Sequence, residues 1–534
     1  MDHRSDLSVD ELRAFHTIAT EADDLLEVCV RDRLPLRATL DRFLPAFGKW
    51  LGAVGVLLAT KDEHIDDNNF SWGDAASLRA SAPRLGDGIE LLPSGQTLLW
   101  QALDLAGTVV GRIEILIPGD RTNEATLLRL MLDAACEELD AVLATVHTAG
   151  LKQRIILDVT SQLTNPVFEL GIDSAVALLH QKISIPRFAF LYRDATDQRT
   201  YHYRIYDHGQ LTHESETRPH SGVERAIEDG QPLLDPDQKL LQKAVSFNVC
   251  VEAVLISGIT RSERLGKVVY AAGKDGFSTF ALDVVEVLCA AIGQRLVDFN
   301  RERRHLAKFF EARVITELLR DAAYLDRFLA PREETVAVLY ADLNSFTKIS
   351  EQVLVDPSDI GRFVDRWSAG AVQLLWDHGG VFDKMVGDCI IGLFGPPFFR
   401  APPAELALRA ARAAAAISRF TAELEREPLY DKVPKSGVVP GMGVAVGLNL
   451  CPMSVGLFGP NQEYTGFSSG MNATARLQSL AGFRETLAME SFVKALDGVD
   501  DPLVTSLSLG DWTETPVKNV KHPLRYRRLG FAAK

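Results

Sequence analysis

The sequence predicts an α/β (α+β) protein of several domains, and three observations carry this prediction. A chain of 534 residues is too long for one ordinary core, since domains usually contain roughly 100–200 residues. Apolar periodicity follows the order helix, sheet, helix twice, once over residues 1–150 and again over 151–300. Further strands and helices then fill residues 334–534, after a charged linker at 301–333.

Composition indicates a soluble globular protein, because 46% of residues are hydrophobic and 24% are charged. A net charge of −15 argues against a general affinity for nucleic acid or for anionic membranes. The N-terminus is polar and no apolar stretch of about 18 residues is free of charge, so we expect a cytoplasmic protein without membrane insertion. The six cysteines form no CxxC pair and are expected to be reduced core residues.

The first helix-sheet-helix unit is predicted from its apolar spacing. Residues 25–48 have helical spacing, and WLGAVGVLLA reads as a buried strand followed by the turn-like KDEHIDDNN. The segments QTLLWQALDLAG and TVVGRIEILIP are predicted to pair as strands. A long amphipathic helix, NEATLLRLMLDAACEELDAVLATV, is expected to begin at Asn123.

The second unit repeats this order. A helix through DSAVALLHQKI precedes strands at RFAFLYRDA, TYHYRIYD, VEAVLISGI and LGKVVYAAG, and FALDVVEVLCAAIGQRLVDF closes the unit as a helix. This unit, and more weakly the first, resembles the GAF family of sensor domains. The resemblance implies a small-molecule ligand. Its identity is open, because the signature of the cyclic-nucleotide-binding members is not intact.

The linker between about 293 and 332 is rich in charge but keeps apolar residues at a spacing close to the seam of a parallel coiled coil. Periodicity alone leaves two alternatives open, a dimerising signalling helix or a linker helix packed on a neighbouring element. The apolar positions are Leu296, Phe299, Leu306, Phe309, Phe310, Val314, Leu318, Leu325 and Phe328.

Two aspartates stand at the ends of predicted strands. The run ETVAVLYADLNSFTKIS is apolar up to Asp342, and HGGVFDKMVGDCIIGLFG forms two strands around a tight turn that contains Asp388. A carboxylate at the end of a buried strand is costly unless it is paired or binds a cation. Hard divalent ions prefer carboxylate oxygen, although isolated aspartates at strand ends are more often solvated turn residues.

The same region resembles the class III adenylate/guanylate cyclase catalytic domain, in four motifs over about 334–530. They are ADLNSFT, DKMVGD, EYTGFSSGMNATARL and PVKNVKHPLRYRRL. The resemblance implies a ferredoxin-like βαββαβ core and the following roles. Asp342 and Asp388, with Leu343 beside them, bind metal, and the loop with Phe346 and Thr347 cradles phosphate oxygens. Lys384 and Ser469 read the base, and Asn472 orients the ribose. Arg476 neutralises the charge of the transition state, and Lys518 holds the distal phosphates.

The activity implied by the resemblance is conversion of ATP into 3′,5′-cyclic AMP and pyrophosphate, with two Mg²⁺ or Mn²⁺ ions per site. In that family each site lies between two catalytic domains, with the aspartates from one and the Lys, Asn and Arg from the other. Because this chain carries both sets, the resemblance implies a homodimer, which favours a dimerising coiled-coil signalling helix in the linker.

The sequence departs from the family pattern at two points. Ser469 stands where adenine-specific relatives usually carry Asp or Thr, and it is a weaker reader of adenine than a carboxylate. Lys384 argues against guanine, so ATP is favoured over GTP, and a pyrimidine triphosphate stays open. Extra residues around Cys451 and Pro452 are expected to form a bulge. These departures motivate a rival interpretation, a nucleotide-binding scaffold without activity. A hydrolase is a weaker rival, because no HD or HxxxH metal cluster is present.

Overall fold

The computed structural model describes residues 8–61, 69–79, 86–105, 108–193, 200–256, 264–273, 276–517 and 523–531. The chain forms two compact units. The first unit consists of Met1–Ser161 and Phe277–Leu288, and the second of Gln162–Gly276 and Cys289–Lys534. No described helix has the length and apolar character needed to cross a membrane.

The first unit contains a five-stranded antiparallel sheet with the strand order β2-β1-β5-β4-β3. The predicted strands and helices are confirmed, except that the helix predicted over 25–48 is two helices separated just before Leu36. The elements are α1 (Val9–Arg31), α2 (Leu36–Trp50), β1 (Gly55–Thr60), β2 (Asn69–Gly73), α3 (Ala76–Arg79), β3 (Gly88–Leu91), β4 (Thr97–Leu105), β5 (Thr108–Ile117) and α4 (Ala125–Ser161).

The second unit begins with another five-stranded antiparallel sheet, of order β8-β7-β6-β10-β9. When the strands of each sheet are numbered in chain order, both sheets contain the second, first, fifth and fourth strands as neighbours in that order. The third strand pairs with the fourth strand in the first sheet and with the second strand in the second sheet. The predicted repetition of helix, sheet and helix is confirmed, whereas the GAF resemblance stays a prediction. The elements are α5 (Phe168–Ile183), β6 (Arg187–Arg193), β7 (Tyr201–Asp207), β8 (Gln210–Glu214), α6 (Ser221–Glu228), α7 (Leu240–Ala244), β9 (Cys250–Ile256), β10 (Arg264–Ala271) and α8 (Thr279–Leu306), whose residues up to Leu288 belong to the first unit.

The linker is not one continuous helix. The dimerising role predicted for it stays a prediction. Helix α8 ends at Leu306, and only α9 (Ala312–Leu319) and a π-helical turn (Leu325–Leu329) follow before the next strand. The physical reason is burial within the chain. Phe309 and Phe310 are nearly inaccessible because they pack on the third sheet instead of lining a helical seam.

The third sheet has the order β12-β13-β11-β14-β16-β19-β17, with β15 paired to β14 and β18 to β19. Its first four strands and two helices run β11-α11-β12-β13-α12-β14, which confirms the predicted βαββαβ core. The elements are β11 (Arg332–Leu343), α10 (Phe346–Ile349), α11 (Pro357–Asp377), β12 (Gly380–Val386), β13 (Cys389–Phe394), α12 (Pro403–Glu423), α13 (Lys432–Lys435), β14 (Val444–Phe458), β15 (Glu463–Phe467), α14 (Ser469–Leu480), β16 (Thr486–Met489), α15 (Glu490–Leu496), α16 (Pro502–Ser506), β17 (Ser508–Leu509), β18 (Thr513–Thr515) and β19 (Leu524–Gly530).

The two faces of β11 serve different purposes, because successive strand residues point to opposite sides. Alternate residues from Ala337 to Leu343 belong to the core formed with α11 and α12, where Trp367 is fully buried. Tyr340 and Asp342 therefore face the other side of the sheet. This second face carries the candidate site.

The bulge predicted around Cys451 and Pro452 was wrong. β14 is one long strand, and its register with β11 is unbroken from Leu343 opposite Val444 to Arg332 opposite Val455. The extra residues lengthen the strand instead of interrupting the ladder. All six cysteines are free, as predicted, although Cys250 and Cys389 are only partly buried.

Candidate active site

Asp342 and Asp388 come together at one end of the third sheet. Asp342 is the penultimate residue of β11, opposite Cys389 of β13 and Ala445 of β14. Asp388 lies in the turn between β12 and β13, directly after Gly387, whose positive φ of 63° suits glycine. Both side chains are partly buried. The two predicted metal ligands are thus brought side by side.

Burial perturbs both carboxyl groups, and the charge of Asp342 also perturbs Asp388. Burial and the negative charge of Asp342 raise the pKa of Asp388 to about 6, while backbone hydrogen bonds from Asp388 itself and Leu343 partly offset this. Burial also raises the pKa of Asp342, against the opposing effect of the neighbouring Gln478. The thiol of Cys389 has its pKa raised to about 12, by burial and then by both aspartates.

The two aspartates fit a divalent cation. Two like charges held together in a partly buried place gain from a shared counterion, and carboxylate oxygen is the preferred donor for Mg²⁺ and Mn²⁺. Leu343 adjoins them and is itself buried, so only its backbone is suited to the role predicted for it. In the described ranges, no group of three or more His, Cys, Asp and Glu side chains is arranged to hold a metal ion.

The loop after β11 is held in place by Asn344. Its backbone N–H donates to the Gly443 carbonyl at 2.9 Å, and its Oδ1 accepts from the Arg484 backbone N–H at 3.0 Å. Ser345 adopts a left-handed conformation and starts the short helix α10. Phe346 is partly buried against the core, whereas Thr347 is exposed. Because Asn344 and Phe346 anchor this turn, the backbone N–H groups at the start of α10 are held in place.

Helix α14 presents two different faces. Its inner face packs on β14 so closely that a Cβ added at Gly447 would lie 2.9 Å from Gln478 and 3.0 Å from the Thr474 carbonyl. Asn472 and Arg476 are one helical turn apart on the opposite, exposed face. Within a single chain, therefore, Gln478 faces Asp342 whereas Asn472 and Arg476 point away from it.

Ser469 lies on helix α14, whereas Lys384 lies on strand β12. Ser469 is the exposed first residue of α14, on the same side as Asn472 and Arg476. The neighbouring N-cap, Ser468, accepts from the Met471 N–H at 3.0 Å and lies 3.7 Å from the buried Cys451 thiol.

Lys384 projects from β12 beside a buried acid, Asp383. The Lys384 Nζ lies 3.9 Å from Asp383 Oδ2, and the lysine side chain is 43% exposed while that of Asp383 is fully buried. Burial raises the pKa of Asp383 to about 6. The Asp383 carboxylate was visible in the sequence as part of DKMVGD, but no role was predicted for it.

The linker reaches this part of the sheet, which the sequence did not predict. The Phe309 carbonyl accepts from the Trp376 indole at 3.1 Å and from the Phe382 backbone N–H at 3.0 Å. The Phe310 ring meets the buried Tyr464 ring edge to face at 4.9 Å. These contacts touch β12 and β15 one residue away from Asp383 and Thr465.

Lys518, predicted to hold the distal phosphates, lies outside the described residues. Its role stays a prediction. The structure thus brings together Asp342, Asp388 and the anchored loop, and separately places Ser469, Asn472 and Arg476 on one helix face.

Comparisons with known proteins give partial matches. No model of a known protein family matches the sequence. An adenylate cyclase of Dictyostelium discoideum, described as terminal-differentiation specific, is 26% identical over 149 residues, which are 28% of this chain and 6% of that protein. An uncharacterized protein of Mycobacterium tuberculosis is 28% identical over 212 residues, 39% of this chain and 36% of that protein. The chain thus matches well under two thirds of the length of these curated relatives.

Solved structures with a similar part include nucleotidyl cyclases. The adenylyl cyclase CyaB from P. aeruginosa has a TM-score of 0.33 at 20% identity, covering 39% of this chain and 98% of that one. The guanylyl cyclase Cya2 has a TM-score of 0.32 at 21% identity, covering 37% and 93%.

Proposed function

We propose that this protein is an adenylate cyclase that converts ATP into 3′,5′-cyclic AMP and pyrophosphate at a site shared by two copies of the chain. The observation that carries the proposal is the pairing of Asp342 with Asp388 at the end of a βαββαβ sheet. In the four cyclase-like motifs these residues correspond to the family's metal-binding aspartates, which supports the proposal. The curated relative of Dictyostelium discoideum that is named an adenylate cyclase adds support.

The reaction is an in-line attack of the ribose 3′-hydroxyl on the α-phosphorus, with pyrophosphate leaving. Asp342 and Asp388, with the Leu343 backbone, would hold two Mg²⁺ or Mn²⁺ ions. When bound, such ions activate the 3′-hydroxyl and neutralise phosphate charge. Backbone N–H groups of Phe346 and Thr347 would bind phosphate oxygens, and the Asn344 hydrogen bonds keep that turn rigid.

The exposed face of α14 supplies the other half of the site. Asn472 would hydrogen-bond the ribose and fix the attacking hydroxyl in line. The Arg476 guanidinium would donate to the α-phosphoryl oxygens, where negative charge develops in the transition state. Lys518 would bind the leaving pyrophosphate.

The orientation of α14 supports a homodimer. Asn472 and Arg476 point away from the aspartates of their own chain, across the thickness of a helix, which is roughly 10 Å. A second copy placed head to tail would bring its exposed pair to Asp342 and Asp388. Twofold symmetry would then create two equivalent sites.

Adenine is the base that Lys384 favours. An ammonium donates to ring acceptors of adenine, and the Ser469 hydroxyl can accept from the exocyclic amine. Guanine would require an acceptor in place of the lysine. Ser469 is a weaker reader than a carboxylate, so some use of GTP or of a pyrimidine triphosphate is compatible with the site.

The N-terminal part would regulate the cyclase through the linker. Next to the second sheet lies a cavity of about 270 Å³ whose wall includes Arg204, Glu216 and Arg320. Arg320 belongs to the linker and forms an ion pair with Glu216 at 2.5 Å. A small ligand of the second GAF-like domain would shift this contact, and with it the packing of Phe310 against Tyr464.

The test is a product assay on the full chain with ATP and Mn²⁺. We expect equal amounts of cyclic AMP and pyrophosphate from the native protein. Asp388→Ala and Arg476→Ala should each abolish both products while keeping the native circular dichroism. Release of ADP and inorganic phosphate would contradict the proposal, because it indicates hydrolysis instead of cyclisation.

A second candidate is a nucleotide-binding scaffold without turnover, and Ser469 in place of the usual acid or threonine favours it. The unbroken β14 strand removes the other reason for this rival. A protein that binds ATP with Mg²⁺ but forms no cyclic product under any metal condition would fit the scaffold.

A further inference from the structure

A β-bulge in β12 lies at Asp383, directly before Lys384. Phe382 pairs with Gly392 and Lys384 with the next residue, Ile391, which leaves Asp383 as the extra residue. In a regular strand, neighbouring side chains point to opposite faces, and a bulge relaxes this alternation. The Lys384 Nζ therefore approaches to within 3.9 Å of Asp383 Oδ2.

Asp383 is a buried acid whose own oxygens are poorly satisfied. Its side chain is fully inaccessible, and in the described part of the chain neither carboxylate oxygen has a hydrogen-bond partner. The buried Thr465 hydroxyl lies near enough to oppose the rise in the pKa of Asp383, although it makes no hydrogen bond of good geometry. After Thr465, the Lys384 ammonium is the next group that counteracts the burial of this carboxylate, while Glu463 adds negative charge.

We propose that Asp383 is a positioning residue for base recognition, holding the Lys384 ammonium at the mouth of the nucleobase pocket and so favouring adenine over guanine. The inference rests on the proposed function, which assigns Lys384 to the base. A lysine has a long flexible chain, and a fixed counter-charge reduces the conformational freedom that it loses on binding. Because the Lys384 side chain is 43% exposed, its ammonium stays accessible to a ligand.

A purely structural role for Asp383 makes a different prediction. An unsatisfied buried carboxylate does not stabilise a fold, so replacement by the isosteric Asn should leave the melting temperature equal or higher. A structural residue would also affect all nucleotides alike. A residue that acts through Lys384 should lose its effect when that lysine is absent.

The test is a double-mutant cycle on the full chain, read by binding of the fluorescent analogues mant-ATP and mant-GTP with Ca²⁺, an ion chosen to support binding with little turnover. We expect Asp383→Asn to weaken mant-ATP binding by about 3–10-fold with little change for mant-GTP. In a Lys384→Met background, Asp383→Asn should change the ratio of the two affinities no further. The matched control Asp377→Asn, at an exposed helix end, should change neither affinity.

Three outcomes would overturn the inference. They are an equal loss for both nucleotides, an Asp383→Asn effect that persists in full without Lys384, and a native protein that binds neither analogue. Thermal melting of each variant excludes misfolding as the cause of a loss. A native protein that binds mant-ATP but makes no cyclic AMP with Mn²⁺ would contradict only the proposed reaction, because the binding cycle still measures the positioning role.

Discussion

Asp388 lies close enough to Asp342 for the charge of one carboxylate to perturb the other, and together with burial this raises the pKa of Asp388 to about 6. The pair is therefore unfavourable for the protein without a cation. Such an arrangement is typical of sites in which stability is exchanged for function.

Asp388→Asn should stabilise the metal-free protein while abolishing activity. Folding raises the pKa of Asp388, so the stability linked to its protonated form is present below about pH 4 and is lost as the pH rises through about 6. At pH 7.5 the variant should gain about 1 kcal/mol after allowance for solvent screening, and at pH 4 the gain should disappear. Thermal melting in EDTA at both pH values measures this, and a variant that melts lower than the native protein at pH 7.5 would contradict it.

The same pKa predicts how metal dependence varies with pH. A divalent ion binds the ionised carboxylate, so protons compete with it below about pH 6. The Mn²⁺ concentration for half-maximal activity should be constant from pH 7 to 8 and rise steeply below about pH 6. Removing the metal with EDTA should stop turnover reversibly. A pH-independent metal requirement would show that Asp388 does not bind the ion.

Mixing two inactive variants should restore activity. Asp388→Ala damages the metal-binding half of the proposed site, and Arg476→Ala damages the half on α14. In their heterodimer one of the two sites combines both damaged halves, and the other site combines both intact halves. With random exchange of equal amounts, we expect about a quarter of the native rate. Two variants that both damage the same half, Asp342→Ala and Asp388→Ala, are the matched control and should not complement. Absence of recovery despite proven subunit exchange would exclude a site shared between chains.

Lys384→Glu should shift the protein from ATP towards GTP. The carboxylate removes the donor that suits adenine and supplies an acceptor for the guanine N1–H and N2 amine. We expect kcat/KM for ATP to fall by about 10–100-fold, with a smaller loss or a gain for GTP. Initial rates with each nucleotide measure the ratio. Equal losses for both would remove Lys384 from base recognition.

Phe310→Ala should uncouple the linker from strands β12 and β15, next to Lys384. The Phe310 ring is buried against Tyr464, so its loss should cost about 3–5 kcal/mol of stability. KM for ATP should rise, because β12 and β15 lose a common support. Leu509→Ala, at a site that is 46% exposed, is the control and should change little. An unchanged KM in the folded variant would show that the linker contact is only structural.

Sequence patterns predicted much of the third sheet for a clear physical reason. A buried strand that ends in a polar residue places that residue at the end of the sheet, as at Asp342, and Asp388 stands in the tight turn between two predicted strands. The helix α14 was equally readable, because Asn472 and Arg476 are four residues apart. Which face of α14 packs on the sheet depends on Gly447 of a distant strand, and local periodicity does not contain that information.

Other features depend on contacts between distant segments. The bulge at Asp383 results from the register with β13, and the end of α8 at Leu306 follows from the packing of Phe310 on Tyr464. The spacing of apolar residues in the linker is the same for a helix paired with a second chain as for segments packed on their own domain. The apolar alternation along the strands likewise does not indicate at which edge of each sheet the third strand pairs.

The most direct test is product analysis of the purified full-length protein with Mg²⁺ or Mn²⁺ and each of ATP, GTP, CTP and UTP. We expect cyclic AMP and pyrophosphate from ATP in preference to the other three, and loss of the product in Asp388→Ala. Another cyclic nucleotide as the main product would overturn the assignment of the base and keep the mechanism. The absence of any cyclic product from a folded protein that binds nucleotide would contradict the account.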